Sequence, residues 1–492
     1  MVQKKSKLVE KNLTLQSYNF NNELIKMILE ISEKPNFNTL KKNISFLMEK
    51  NIKFEDLYNP KIMNLNTEQF AFLIALNSFQ GKDFKKHFSL IKQYVNQREL
   101  SDDQLIKFEN LLYEHFLKNY ESESAYNYFF NFFSKSYKSV SNKKFITNKK
   151  NKKLKSILFF VIAPSLLAHT VPLFNMLRRK KDEYKELEIC IASLSQNKKF
   201  SEKCFECNAE FISIEGNTIS NKLDNLNELS KKFEYFVWVS TPTLLSYFSS
   251  RNTDVCYWSH KFHPNFKNVS KYIGAFPSKS KIVFVNDKKW NNINIGFNIL
   301  NIDQSSIEHS NRSKCFGSFC REELIDYEKY WLLIKSVLEN NNEVTFYYCG
   351  RSSIHQKWCK KLKINDDKIK FLGWLQEPHL KIKEMCFLID GFNLGHGYLA
   401  MEAMAAKVPI IYPKSKKGYS TCENLVKYYQ IFYNEINDDL FLNFDNENFD
   451  LICHKLFYDE GFNNYVGLYY EKVIKNIPSH SFEDFYKILK DT

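Results

Sequence analysis

With 492 residues, 44% of them hydrophobic, and only 13 glycines and 11 prolines, the chain is long enough for two or three domains and has a globular composition, which excludes a disordered or fibrous protein. Its formal charge of +14 would attract nucleic acid, anionic lipid or a phosphorylated substrate, but the lysines are spread out and alternate with acids. The expectation is therefore a solvated basic surface and no nucleic-acid partner.

The first residues, MVQKKSKLVEKNLTLQ, contain no apolar stretch of the secretion-signal kind, and no segment approaches the length of a membrane helix. Eleven cysteines without regular spacing argue against a disulfide framework. Both features lead to an expected cytoplasmic location with no integral membrane segment.

From Asn19 to about Tyr137 apolar residues recur at three- and four-residue spacing, as in EQFAFLIALNSF, FKKHFSLIKQYV, DQLIKFENLLYEHFL and ESAYNYFFNFFSK. The spacing predicts stacked helical hairpins, an all-helical domain over 1–140, with Ser101 or Asp102 capping the third of these helices. Residues 141–156, SNKKFITNKKNKKLKS, hold seven lysines and almost no apolar content. With Phe145 as the one aromatic they read as a linker, not as a nucleic-acid face.

At Ile157 the texture changes. ILFFVIA is a strand of the kind buried on both faces, and PSLLAHT and a helix through Leu177 follow it. LEICIAS, AEFISI, YFVWVS, DVCYWS and KIVFVN continue as strands between helical or loop segments, which predicts a doubly wound α/β lobe over 157–312. Cys204 and Cys207 have no second pair at zinc-site spacing and read as ordinary thiols, so no metal site is expected. A second α/β lobe over 313–492 opens with CFGSFC, continues with a helix from Leu324 to Leu338, and carries the strands VTFYYCG, KIKFLGW, MCFLIDG and VPIIYP. Beyond Glu423 the pattern is helical, in segments able to pack back across both lobes.

Leu388 to Pro413, LIDGFNLGHGYLAMEAMAAKVPIIYP, reads as strand, glycine-rich loop, helix and strand. Such a unit suits anion binding, because the first N–H groups of a helix lack partners and sit at the positive end of its dipole. Gly395 and Gly397 would let backbone approach a diphosphate. Glu402, one turn beyond Tyr398 on the same face, could reach the two hydroxyls of a ribose.

Several of these stretches resemble the O-linked N-acetylglucosamine transferase family and its bacterial relatives, including the cytoplasmic adhesin N-glycosyltransferases. The first-lobe run FVWVSTPTLLSYFSSRNTDVCYWSHKFHPNFKNVSKYIG is similar to the family's strand, helix, arginine-containing turn, second strand and loop. FGSFCREELI has the form of its second-lobe opening, and NLGHGYLAMEAMAAKVPII that of its glycine-histidine phosphate loop, with one residue more before Pro409. The resemblance implies a GT-B-type fold of two Rossmann-like lobes after an all-helical domain.

It also implies an inverting glycosyltransferase, a hexosyltransferase or N-acetylglucosaminyltransferase. The donor would be a UDP-sugar, with no further cofactor, and the acceptor a protein side chain on a polypeptide selected by the helices. Gly395, His396, Gly397 and Tyr398 would cradle the diphosphate, Glu402 bind ribose, Leu375 and His379 of WLQEPH lie near uracil, and Ser318 and Arg321 face the phosphates. His169 and His263 are the candidates on the acceptor side. No strict Asp-x-Asp pair occurs in the sequence, so leaving-group stabilisation by Arg321 and the helix terminus, without a metal, is expected.

Two other readings stay open, the first through a departure from the family pattern and the second through DGF and EAMAAKVPII, although Leu394 counts against it. The family usually has a lysine where this chain has Leu324, which favours a non-catalytic, transferase-like scaffold, with Arg321 or Arg351 as the alternative source of positive charge. A retaining enzyme of surface polysaccharide synthesis would pair Glu402 with a second glutamate at a position occupied by Leu394.

Overall fold

The computed structural model describes residues 64–137, 153–293, 312–435 and 443–491, apart from short stretches within them that include 166–169, 260–262, 392–396 and 414–420. The helical reading of residues 19–63 and the lysine-rich 141–152 lie outside the described residues.

Among the described residues four helices come first: α1 (Thr67–Ser78), α2 (Phe84–Gln97), α3 (Asp102–His115) and α4 (Glu123–Ser136). Ser101 caps α3 in a capping box with Gln104, satisfying two of the amide groups that a helix start leaves open. The helices meet through aromatic residues, with Phe70 stacked on Tyr94 at 4.0 Å and Phe129 against Phe133 at 4.8 Å.

The first lobe holds β1 (Lys153–Phe160), α5 (Val171–Arg178), β2 (Glu188–Ser193), α6 (Lys198–Glu206), β3 (Glu210–Ser213), α7 (Ile219–Ser230) and β4 (Phe233–Val239). It continues with α8 (Leu245–Arg251), β5 (Val255–Ser259), β6 (Val269–Gly274), β7 (Ile282–Val285) and β8 (Lys288–Asn292). They form an eight-stranded sheet in the order β3-β2-β1-β4-β5-β6-β8-β7, parallel except where β7 meets β8. β1 begins within the lysine-rich stretch: Lys153 pairs with Phe233 before an irregularity in register, and Lys155 has a positive φ. The sequence pattern does not predict β6 and β8 as strands. In β8 only Trp290 and Asn292 are buried, and its lysines face outward, so no apolar run marks it.

The second lobe holds β9 (Cys315–Ser318), α9 (Glu328–Asn340), β10 (Thr345–Tyr348), α10 (His355–Leu362), β11 (Ile369–Phe371), α11 (Pro378–Ile382), β12 (Phe387–Ile389), α12 (Tyr398–Ala405), β13 (Ile410–Pro413), α13 (Thr421–Tyr433), β14 (Asn443–Phe444), α14 (Phe449–Tyr458) and α15 (Glu460–Asn476). Its sheet is parallel throughout, in the order β11-β10-β9-β12-β13-β14. The helix predicted from Leu324 is shorter than its apolar pattern suggests: one 3-10 turn over Glu322–Leu324 precedes α9. The last helix, α16 (Phe482–Lys490), returns to the first lobe, where Phe485 packs on Phe159 and Trp258 at 5.9 and 5.2 Å. Lys271 Nζ donates to the Ile488 and Leu489 carbonyls at its carboxyl end. No helix among the described residues is long and apolar enough to cross a membrane.

Each sheet switches direction once: in the first lobe the chain winds outward from β1 and returns beside it as β4, and in the second β12 returns beside β9. The crevice at such a switch, at the carboxyl ends of the strands, is where doubly wound folds bind ligands.

The amino-terminal helices share one core with the first lobe. Residues such as Phe108 and Phe130 belong to the same buried cluster as Leu158, Trp238, Tyr257 and Trp290. The seam also holds charge: Arg251, 6% exposed, reaches Asp102 of α3 at 2.7 Å and Asp224 at 3.4 Å, and lies over the Tyr247 ring. Ser220 donates to Asp103 through its hydroxyl at 2.8 Å and its amide at 3.0 Å. Nearby Tyr137 donates to the buried Glu109, whose carboxyl is pushed up to about 7 by burial. Removing the helices would expose this apolar face and leave Arg251 without Asp102. A chain starting at Lys153 is therefore expected to be insoluble, and Arg251→Ala in the full chain to lose about 3 kcal/mol in urea unfolding, because one partner of a buried pair is deleted. A soluble, monodisperse fragment on size exclusion would contradict the shared core.

Candidate functional site

The two strands that border the second-lobe switch point, β9 and β12, are direct neighbours, with Gly317 opposite Leu388. The loops that leave their carboxyl ends are the two motif loops, 319–324 and 390–397. Arg321, Gly395 and His396 stand on these loops and lie outside the described residues, as does Arg351. The elements that carry them are fixed.

Gly397 occupies the N-cap position of α12 with φ 63° and ψ −132°, a conformation that residues with a Cβ rarely adopt. A Cβ there would meet nothing within 4 Å. The glycine is thus demanded by the backbone, not by packing, and the space beside it is open. Tyr398 opens the helix. The inner face of α12 is set by Ala400, Met401, Ala403 and Met404, all buried. Its far end is held by Arg312, itself buried, whose Nη2 donates to the Ala406 and Lys407 carbonyls at 3.4 and 3.2 Å and whose Nη1 donates to Asn463 at 3.3 Å. A cation at the carboxyl end of a helix complements its dipole. The opposite end, with its unpaired amide groups, is directed into the switch-point crevice.

Glu402 lies one turn into this helix. Its Oε2 is buried with no hydrogen-bond partner among the described residues, and burial pushes its carboxyl up to about 7. A buried acceptor without a donor costs free energy unless something fills it. A pair of hydroxyl donors would do so.

Three further loops close the rim. Gly350 at the end of β10 donates to the Gly373 carbonyl at 3.1 Å, which ties the segment leading to Leu375 and His379 to the loop after β10. A Cβ on Gly350 would meet Glu322 Oε2 at 2.8 Å, so the β9 loop lies over that join. His379 is half-buried on the short helix α11, and Leu375 packs against the lobe core. Ser318 is fully buried, with its hydroxyl 3.3 Å from Cys320 Sγ, and lies beneath the β9 loop. Leu324 also turns to the core. Sequence reasoning missed Asp390, 1% exposed at the carboxyl end of β12 with its amide donating to the Ile411 carbonyl at 2.9 Å. It also missed Arg312. An acid directly before a glycine loop was a readable signal for the first, while the second depends on a contact about a hundred positions away in the chain.

On the first lobe, His169 stands on the loop after β1, at that lobe's switch point, and lies outside the described residues. His263 follows β5. Its ring lies tilted against Phe276 at 4.2 Å and edge-on to Trp290 at 5.0 Å, with Nε2 buried. Gly274 at the end of β6 makes room for it, since a Cβ there would lie 2.9 Å from His263 Cδ2.

No family model and no curated protein matches the chain. Among solved structures, an O-GlcNAc transferase mutant of Thermobaculum terrenum superposes with a TM-score of 0.52 at 10% identity, over 92% of this chain and 96% of that one. The chain has the two-lobed GT-B fold. A glycosyltransferase from Rickettsia africae ESF-5 is similar more loosely, with a TM-score of 0.46 at 14% identity over 70% of this chain and 100% of that one, and adds nothing to the assignment. At these identities the likeness speaks for the fold alone.

The buried Glu402 makes a prediction about stability. A carboxyl whose folded pKa is raised from 4.5 to about 7 holds its proton more tightly in the folded state, so stability falls as pH rises through that window and stays lower above it. Glu402→Gln removes this dependence. The variant should melt about 2–4 °C above the wild type at pH 8 and close to it at pH 4. Equal offsets at both pH values in calorimetric melts would show that the carboxylate is not held in a desolvated site.

Proposed function

We propose that this protein is an inverting glycosyltransferase that moves a sugar from a UDP-sugar to an acceptor, a side chain of a polypeptide. The observation that carries the reading is the pairing, at the second-lobe switch point, of a helix terminus at Gly397 with Glu402 one turn along, whose Oε2 is buried without a partner among the described residues. That combination suits a ribose joined to a diphosphate: amide groups for the phosphates and an acceptor for the ribose hydroxyls. The similarity in fold to a solved O-GlcNAc transferase agrees with it.

In this reading the acceptor enters from the first lobe and its nucleophilic oxygen or nitrogen attacks the anomeric carbon. The bond from that carbon to the diphosphate oxygen breaks, its electron pair leaves with UDP, and the acceptor proton passes to a base on the first-lobe side, His169 or His263. The α12 amino terminus, His396, Tyr398 and Arg321 receive the departing charge, while Leu375 and His379 lie toward the base. Because the sequence has no Asp-x-Asp pair, the charge is assigned to protein donors and not to a metal.

Leu324 favours a second reading, a scaffold without turnover, since its side chain contributes to the core and brings no charge to the phosphates. A panel of nucleotide sugars, followed for release of nucleotide diphosphate, separates the two. The enzyme reading expects release from a uridine-linked sugar that survives chelation and falls at least ten-fold in Arg321→Ala. Release abolished by chelator and restored by manganese would overturn the metal-free mechanism. No release from any donor would leave the scaffold.

A further inference from the structure

The loop between β5 and β6 carries His263, and its conformation is set from outside the lobe. Asn265, buried, is the hub. Its backbone N–H donates to Oδ1 of Asn127 on α4 at 2.6 Å, across 138 positions of sequence. Its own Nδ2 donates to the Val285 carbonyl at 2.5 Å and to the Asn286 carbonyl at 3.3 Å, at the β7–β8 turn. Its Oδ1 accepts from Trp290 Nε1 at 2.9 Å. The next residue, Phe266, packs on Phe130 of the same helix at 5.3 Å and exchanges two hydrogen bonds with the Tyr272 hydroxyl. Trp290 is in turn the wall against which the His263 ring stands. An unbroken line of contacts therefore runs from α4 through Asn127, Asn265 and Trp290 to His263.

We propose that Asn127 and Asn265 are positioning residues for the acceptor face: the amino-terminal helices complete the first-lobe side of the site by holding the His263 loop in one register over the carboxyl ends of β5 and β6. The inference rests on the reading of that lobe as the acceptor side. Asn127 is suited to the task because its Oδ1 accepts from the part-buried Asn265 amide of the loop, and a desolvated donor left unmet is costly. The aromatic contacts alone would hold the loop against the helix without fixing which backbone group faces it.

Asn127→Ala removes the acceptor while favouring the helix, so folding is not at risk, whereas Asn127→Asp keeps an oxygen in place. In the full chain, amide exchange of the segment 263–268 should quicken at least ten-fold in Asn127→Ala and stay within two-fold of wild type in Asn127→Asp, and the His263 ring resonances should shift only in the alanine variant. With UDP-glucose and UDP-N-acetylglucosamine as probes and water as acceptor, kcat for hydrolysis should fall about ten-fold in Asn127→Ala with KM and UDP affinity unchanged. Unchanged exchange and ring signals in the alanine variant, or equal damage in the aspartate variant, would overturn the proposal. A wild-type protein that binds no UDP would instead overturn the donor reading and leave the exchange result to decide the tether.

Discussion

The second lobe depends on how a short, almost wholly apolar helix is held at both ends. α12 is pressed into the core by its alanines and methionines, and Arg312 grips its last carbonyls from inside the protein. Gly397 turns the chain into its first residue through a conformation that few other residues adopt. The dipole of an eight-residue helix is weak in open solvent, and its amino end follows the carboxyl end of β12, beside the neighbouring strand β9. The position of Glu402 follows from the same constraint. With the helix fixed, Oε2 of the residue one turn along is buried without a partner among the described residues, and desolvation pushes its carboxyl up to about 7.

The first lobe is built on the opposite plan, from distant pieces of chain. The amino-terminal helices merge with one face of its sheet, and α16 covers the other after crossing back from the second lobe. The seam with the helices contains a buried cation and carboxylates that must meet in one geometry, so those helices dock in one register or not at all. A separable recognition module joined by a flexible lysine-rich linker does not fit such a seam. Any selectivity the helices confer is exerted on the lobe they are welded to.

Much of the architecture was legible in the sequence because parallel strands buried on both faces read as apolar runs. ILFFVIA and VPIIYP fall on β1 and β13 with only their edges displaced, and Ser101 was readable as a cap because capping is local chemistry. β8 was not legible: KKWNN holds its place through Trp290 and its hydrogen bond to Asn265, a long-range match that no window of sequence contains. The glycine loop and Glu402 were legible as a pattern, and the burial of the carboxyl without a partner was not, since it depends on how tightly neighbouring elements close around α12. His263 was singled out by its histidine-proline pair, while its wedged ring, its buried Nε2 and the reason for Gly274 emerge only from packing.

The proposed function depends on what fills the space beside Glu402. Isothermal titration of UDP into the full chain, compared with Glu402→Ala and His396→Ala, tests it most directly. One binding site is expected in the wild type and a loss of about ten-fold or more in each variant, the scale of a buried or charge-assisted hydrogen bond. Wild-type affinity in both variants, or no binding in the wild type, would rule out a nucleotide site at Glu402.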